Sequence, residues 1–189
     1  MISVPLLEGV AALVDPWHLA SSLWLAAQAA LLAVVAILCL RLALRFRRQP
    51  ALRQPLVAMF YIAFVWWDVS LWLGAASRWP GLSAGATAAL ETARLHTLAL
   101  GFLGGTLLAM AIRVSAAHSG RPRPIDTPAR WLYRALQATL VCRLVPLLWA
   151  QSGWLLLPLA ACAWAGIAVI WALRHGRWAG CPRVDGRPA

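Results

Sequence analysis

The chain has 189 residues, 62% of them apolar and only 12% charged, with a mean hydropathy of +0.72. Water-soluble domains run at about 45–50% apolar and about 25% charged, so an ordinary soluble protein is excluded and residues 1–189 read as a single membrane domain. The net charge of +11 rests on seventeen arginines without a lysine, and their spacing assigns them to membrane orientation, not to nucleic acid.

Before Trp17 the only charges are Glu8 and Asp15, so the basic start of a signal peptide is missing and the first apolar segment is expected to stay as a span. Spans of about 20 residues, the length that crosses the hydrocarbon core, are predicted over residues 17–40, 56–76, 93–114, 131–151 and 154–173. The tail, 174–189, is polar, rich in Pro and Gly, and predicted to be irregular. Cys39, Cys142, Cys162 and Cys181 lack the short paired spacing of a zinc site or disulfide framework.

The connectors alternate in charge. Arg41, Arg45, Arg47, Arg48 and Arg53 follow the first span, Arg113, Arg121, Arg123, Arg130 and Arg134 lie between the third and fourth, and Arg174, Arg177, Arg183 and Arg187 follow the fifth. The second-to-third connector has Arg78 alone, and the Gln151–Gly153 turn is uncharged. The expected fold is therefore all-α with five transmembrane helices, N-terminus outside and C-terminus inside. Trp17, Trp79, Trp149 and Trp154 mark outer span ends, and Trp131, Trp171 and Trp178 inner ones; Trp66, Trp67 and Trp164 fall mid-span, as packing residues.

This topology sorts the histidines by depth. His18 and His96 lie towards the outer face, His118 and His175 towards the inner one. His96 and His118 are 22 residues apart, about 33 Å along a helix, and cannot share one metal or haem. A two-histidine site would pair His18 with His96, or His118 with His175. Imidazole suits haem iron and copper, and an ionisable group within a span is a functional candidate. His96 is the strongest, because Gly104 on its face leaves room for a flat ligand. On spacing alone, the stripe of Thr97, Gly101, Gly105 and Ala109 favours a close helix–helix contact with His96 hydrogen-bonded to a neighbour. Arg94, beside His96, either serves an anion or snorkels to the interface. Asp68 and Arg143 both lie about thirteen residues into spans that run the same way, so a buried ion pair between them is expected, structural or part of an ion path.

The run RLHTLALGFLGGTLLAMAIRVSAAHSGRP resembles the most recognisable segment of the NnrS family of bacterial membrane proteins, through Leu95, His96, Leu98, Gly101, Gly104, Leu108, Arg113, His118, Gly120, Arg121 and Pro122. The tail CPRVDGRPA resembles the family's closing motif at Pro182, Arg183, Asp185, Gly186, Arg187 and Pro188. The likeness is to the C-terminal half of longer members. It implies a multi-pass protein of the bacterial inner membrane that carries haem, copper or both in the response to nitric oxide and nitrosative stress, binding and not catalysing. It implies His96 and His118 as ligand candidates, with Arg113 and Arg121 as motif positions. A second chain or further copy would stand in for the missing half. Two alternatives are a bis-histidine electron-transfer protein using His18 and His96, and a metal-free permease subunit using Asp68 and Arg143.

Overall fold

A computed structural model describes residues 16–120, 125–177 and 184, with side chains from Ser22 onward. The side chains of Trp17 and His18, all of Arg121–Arg123, and the tail other than Val184 beyond Arg177 lie outside the described residues. Within them every regular element is helical.

Helix α1 (Pro16–Phe46) runs past its expected end at residue 40, because nothing in RLALRF interrupts a helix; Pro50 then opens a single 3-10 turn, Pro50–Arg53. Helix α2 (Pro55–Ala76) starts on a proline, where the missing N–H has no intrahelical use. Helix α3 (Ala84–His118) begins well before the expected residue 93, since the Ser83 hydroxyl caps it by accepting from the Ala86 N–H at 3.2 Å. Helix α4 (Thr127–Leu148) is started in the same way by Asp126, whose carboxylate accepts from the Ala129 N–H at 3.1 Å. Helix α5 (Gly153–Gly176) follows a short 3-10 turn, Ala150–Ser152.

Cross-contacts fix the arrangement. Arg78 reaches Gln28 at one end of the α1–α2 pair and Tyr61 reaches the Ala43 carbonyl at the other, so the two are antiparallel. α4 runs parallel to α2: the Tyr133 hydroxyl donates to the Met59 carbonyl at 2.6 Å, and the Trp66 indole N–H to Gln137 Oε1 at 2.6 Å. α3 passes antiparallel to both, and α5 packs back along α4 through Leu132, Leu136 and Ile167. α4 is thus the inner helix, and α1 is peripheral.

Among the described residues four stretches are long and apolar enough to cross a membrane: Ser22–Phe46, Pro55–Ala76, Ala84–His118 and Ala150–Gly176. α4 has the length, 22 residues, but Arg130, Arg134, Gln137 and Arg143 lower its apolarity. Arg130 and Arg134 are exposed in the first two turns, where they can reach the membrane surface, while Gln137 and Arg143, deeper in the helix, bond to Trp66 and His96 and so carry polarity that lipid would exclude. The surface has the opposite character. Leu31, Val34 and Leu38 of α1, Leu103 and Leu107 of α3, and Val169, Ile170 and Leu173 of α5 are exposed, while Asp68, Ser70, Thr97 and Thr139 are buried. The chain is an all-helical membrane protein.

α3 is irregular at its middle. Residues Ala84–His96 and Gly105–His118 are α-helical, but Thr97–Gly104 bonds in the wider i→i+5 pattern of a π-helix. A four-residue repeat overshoots a regular α-turn by roughly 40° at each step. A wider turn takes up that drift, so Thr97, Gly101, Gly105 and Ala109 are all buried on one line. A Cβ on Gly101 would lie 2.6 Å from Cβ and Cγ of Trp66 and 3.0 Å from Leu140 Cδ2. One on Gly105 would lie 3.2 Å from the Tyr133 hydroxyl and 3.3 Å from Ala63 Cβ. The small residues are there to let α2 and α4 close on α3.

Candidate functional site

His96 stands where the α-helical start of α3 gives way to the π segment. Its Nδ1 lies 2.7 Å from the Thr92 carbonyl oxygen. A carbonyl only accepts, so Nδ1 carries the proton and Nε2 keeps its lone pair. Nε2 accepts from Arg143 Nε–H at 3.2 Å. Both side chains line a cleft of about 400 Å³ between α3, α4 and α5, with Ala99, Leu100, Thr139, Ala160, Ala161 and Trp164. Thr139 Oγ1 donates to the Ala135 carbonyl at 2.8 Å, which leaves its oxygen an acceptor. Trp164, expected as packing, is 53% exposed and forms part of the cleft wall. Trp66 and Trp67 do pack, Trp66 against Gly101 and Trp67 stacked on Phe102 at 5.6 Å.

Arg143 therefore meets His96 and not Asp68. Among the described residues no ion pair joins Asp68 to Arg143, which corrects the expected pair. The depth argument is sound, since α2 and α4 are parallel; the faces differ. Trp66 looks at α4, and Asp68, two positions on, is about 200° further round the helix. Asp68 lies within electrostatic reach of Cys39 on α1, 4% exposed, with Oδ1 unpartnered. Arg143 is three residues beyond Leu140, the side chain that packs on Gly101, and so shares the α3-facing side.

Gly104 does not open a slot beside His96. Its Cβ direction meets Leu136 of α4 at 3.8 Å, and the space is taken up by that side chain.

Arg94 belongs to a separate network at the start of α3. Glu91 Oε2 accepts from Arg94 Nε at 2.7 Å, while Oε1 accepts from the Ser77 hydroxyl at 2.5 Å and from Arg78 Nη1 at 3.2 Å. Arg78 Nε also donates to Gln28 Oε1 at 2.9 Å, so one carboxylate ties α1, α2 and α3 together. Arg94 neither snorkels freely nor lines the cleft. Glu91 was not among the sequence candidates, although its spacing of three from Arg94 is the signature of a helical ion pair.

At the far end of α3, Arg113 and His118 are exposed. His175 is buried, donates from Nδ1 to the Trp171 carbonyl at 3.0 Å, and stacks on the Trp171 ring at 5.2 Å. Asp126 pairs with Arg174 close by. The Val184 N–H donates to the Ser119 carbonyl at 3.1 Å. No group of three or more His, Cys, Asp or Glu side chains among the described residues is arranged to hold a metal ion.

His96 and His118 thus stand on one interrupted helix, with Val184 hydrogen-bonded next to the second of them. The family described as NnrS protein matches residues 2–183, nearly the whole chain. This chain belongs to the NnrS family. The match is wider than the two motifs that carry the resemblance and takes in α1 and α2 as well. No curated protein matches it, and no solved structure does.

Proposed function

We propose that this NnrS-family protein binds haem or copper through His96 in the α3–α4–α5 cleft, as part of a bacterial inner-membrane response to nitric oxide. One observation carries the reading. The Thr92 carbonyl fixes the His96 tautomer, so that Nε2 is the nitrogen that keeps a lone pair, which borders a cleft and accepts from Arg143. A backbone acceptor on the other ring nitrogen is the usual support of a ligating histidine. The donor set fits a single imidazole ligand, in a pocket lined besides by Arg143, Thr139 and apolar alanine, leucine and tryptophan side chains. When bound, such a group would supply a redox-active metal able to coordinate nitric oxide. His96 would hold it, Arg143 would give up its bond to Nε2, and the apolar lining would keep water away.

A second ligand from His18 would have to come from α1, which packs along α2. We therefore assign the remaining position to another copy or a second chain seated against α5. The permease alternative has lost its paired charges, since Arg143 serves His96.

The test is an absorption spectrum with metal and haem analysis of protein purified from haem-replete, copper-supplemented cells. A Soret band or stoichiometric copper is expected, and its loss in His96→Ala. Loss in His118→Ala instead would move the site to the other end of α3. Intact protein with neither haem nor copper would sink the reading.

A further inference from the structure

We infer that the same cleft is an anion site, in which Arg143 receives one carboxylate or similar monovalent oxyanion whose apolar body lies along Ala99, Ala160, Ala161 and Trp164. This goes beyond metal binding and concerns the metal-free cleft, in which Arg143 keeps its bond to His96.

Arg143 is half-buried at membrane depth, where a cation without a counter-charge is costly. The described acidic residues do not supply one: Glu91 is held by Arg78 and Arg94, Asp126 pairs with Arg174, and Asp68 is turned towards α1. The partner that Arg143 does have, His96 Nε2, must be neutral to accept its hydrogen bond, and it leaves the positive charge intact.

Geometry then gives the charge a direction. A guanidinium has five N–H donors, and the bond to His96 uses the one on Nε. The four on the two Nη atoms form the flat fork that suits a carboxylate. The side chain has not snorkelled towards the end of α4; the His96 bond holds it at the cleft wall. The rest of the lining is apolar apart from Thr139, whose hydroxyl proton is already given to Ala135. A cavity of about 400 Å³ with one fixed charge and small apolar walls selects a compact amphiphilic anion.

Such a group can come free from water or on an anionic lipid, and the test separates the two. Metal- and haem-free protein in uncharged detergent is titrated with radiolabelled benzoate. In parallel it is reconstituted into nanodiscs of phosphatidylcholine, with or without phosphatidylglycerol, and the retained phosphatidylglycerol is counted. Saturable benzoate binding is expected, weakened about tenfold or more in Arg143→Gln and by a smaller factor in Arg143→Lys, which keeps the charge but loses the planar fork. Ala161→Leu keeps every charge and fills the cleft, so it blocks binding and decides the matter should Arg143→Gln fail to fold. Retention of phosphatidylglycerol that depends on Arg143, without benzoate binding, assigns the anion to lipid. Equal binding of both probes by wild type, Arg143→Gln and Ala161→Leu, or no binding of either, overturns the site. A protein that binds benzoate but neither haem nor copper would separate this failure from that of the metal reading.

Discussion

Gly101 and Gly104 are three residues apart on one helix and do different work. A methyl group on Gly101 runs into the stem of Trp66, which cannot swing aside as the far end of a flexible chain would. Gly101→Ala is expected to destabilise by about 1–3 kcal/mol, the usual cost of overpacking. At Gly104 the nearest approach is 3.3 Å to a carbonyl of the same helix, and Leu136 is in ordinary contact. Gly104→Ala should fall within about 0.5 kcal/mol of neutral, because better helix propensity offsets mild crowding. Reversible unfolding in detergent measures both, and equal effects would refute the close-contact account. Sequence spacing identified the Gly101 stripe correctly but misread Gly104. The number of glycines was visible, whereas the direction of each depends on a π segment that no simple periodicity reveals. The partner of Arg143 was hidden in the same way: depth follows from counting residues, but facing depends on helix phase, which Trp66 sets through Gln137.

Among the elements, α3 carries both the packing stripe and the site, and its two ends are held differently. At the Ala84 end, Glu91 is the hub for Arg78, Arg94 and Ser77, with the paired carboxylate and guanidinium side chains about a quarter to a third exposed. Glu91→Gln leaves two arginines facing each other, and a loss of about 1–3 kcal/mol is expected from its charged hydrogen bonds. Adding Arg94→Gln should restore part of that loss, since residues in one network are not additive. Strict additivity in thermal unfolding would mean that the network contributes little. The stretch ETARLH announced a functional end through Arg94 and His96, yet the two side chains serve separate neighbours. Arg94 crosses over Gly74 of α2, where a Cβ would come within 2.8 Å of its Cδ, while His96 turns to α4. Three helices must be in place before that division exists, so local sequence could not contain it.

For the whole molecule, hydropathy and arginine spacing made the helical membrane fold legible, and four stretches meet the apolar criterion outright. α4 is the exception, and it decides the topology. If it did not cross, Gln151–Gly153 would share a side with the arginines that precede α4, and Arg174 and Arg177 after α5 would lie on the opposite side from them. That arrangement violates the positive-inside pattern. Packing argues the same way, because α4 lies parallel to α2 from Tyr133–Met59 to Gln137–Trp66 and meets His96 further along at Arg143. An arginine at the centre of a lipid-exposed span costs about 2.5–3.5 kcal/mol to insert, and the cleft shelters Arg143 from that full exposure. We therefore expect five crossings, with the start of α1 outside. Alkaline phosphatase inserted at Gln151 should be active, and a fluorescent protein fused after Gly176 should glow. Four crossings with the start of α1 outside would reverse both signals, leaving the phosphatase silent and the fluorescent fusion dark. Expressed without its neighbours, α4 should insert poorly, because Gln137 and Arg143 would then face lipid instead of Trp66 and His96.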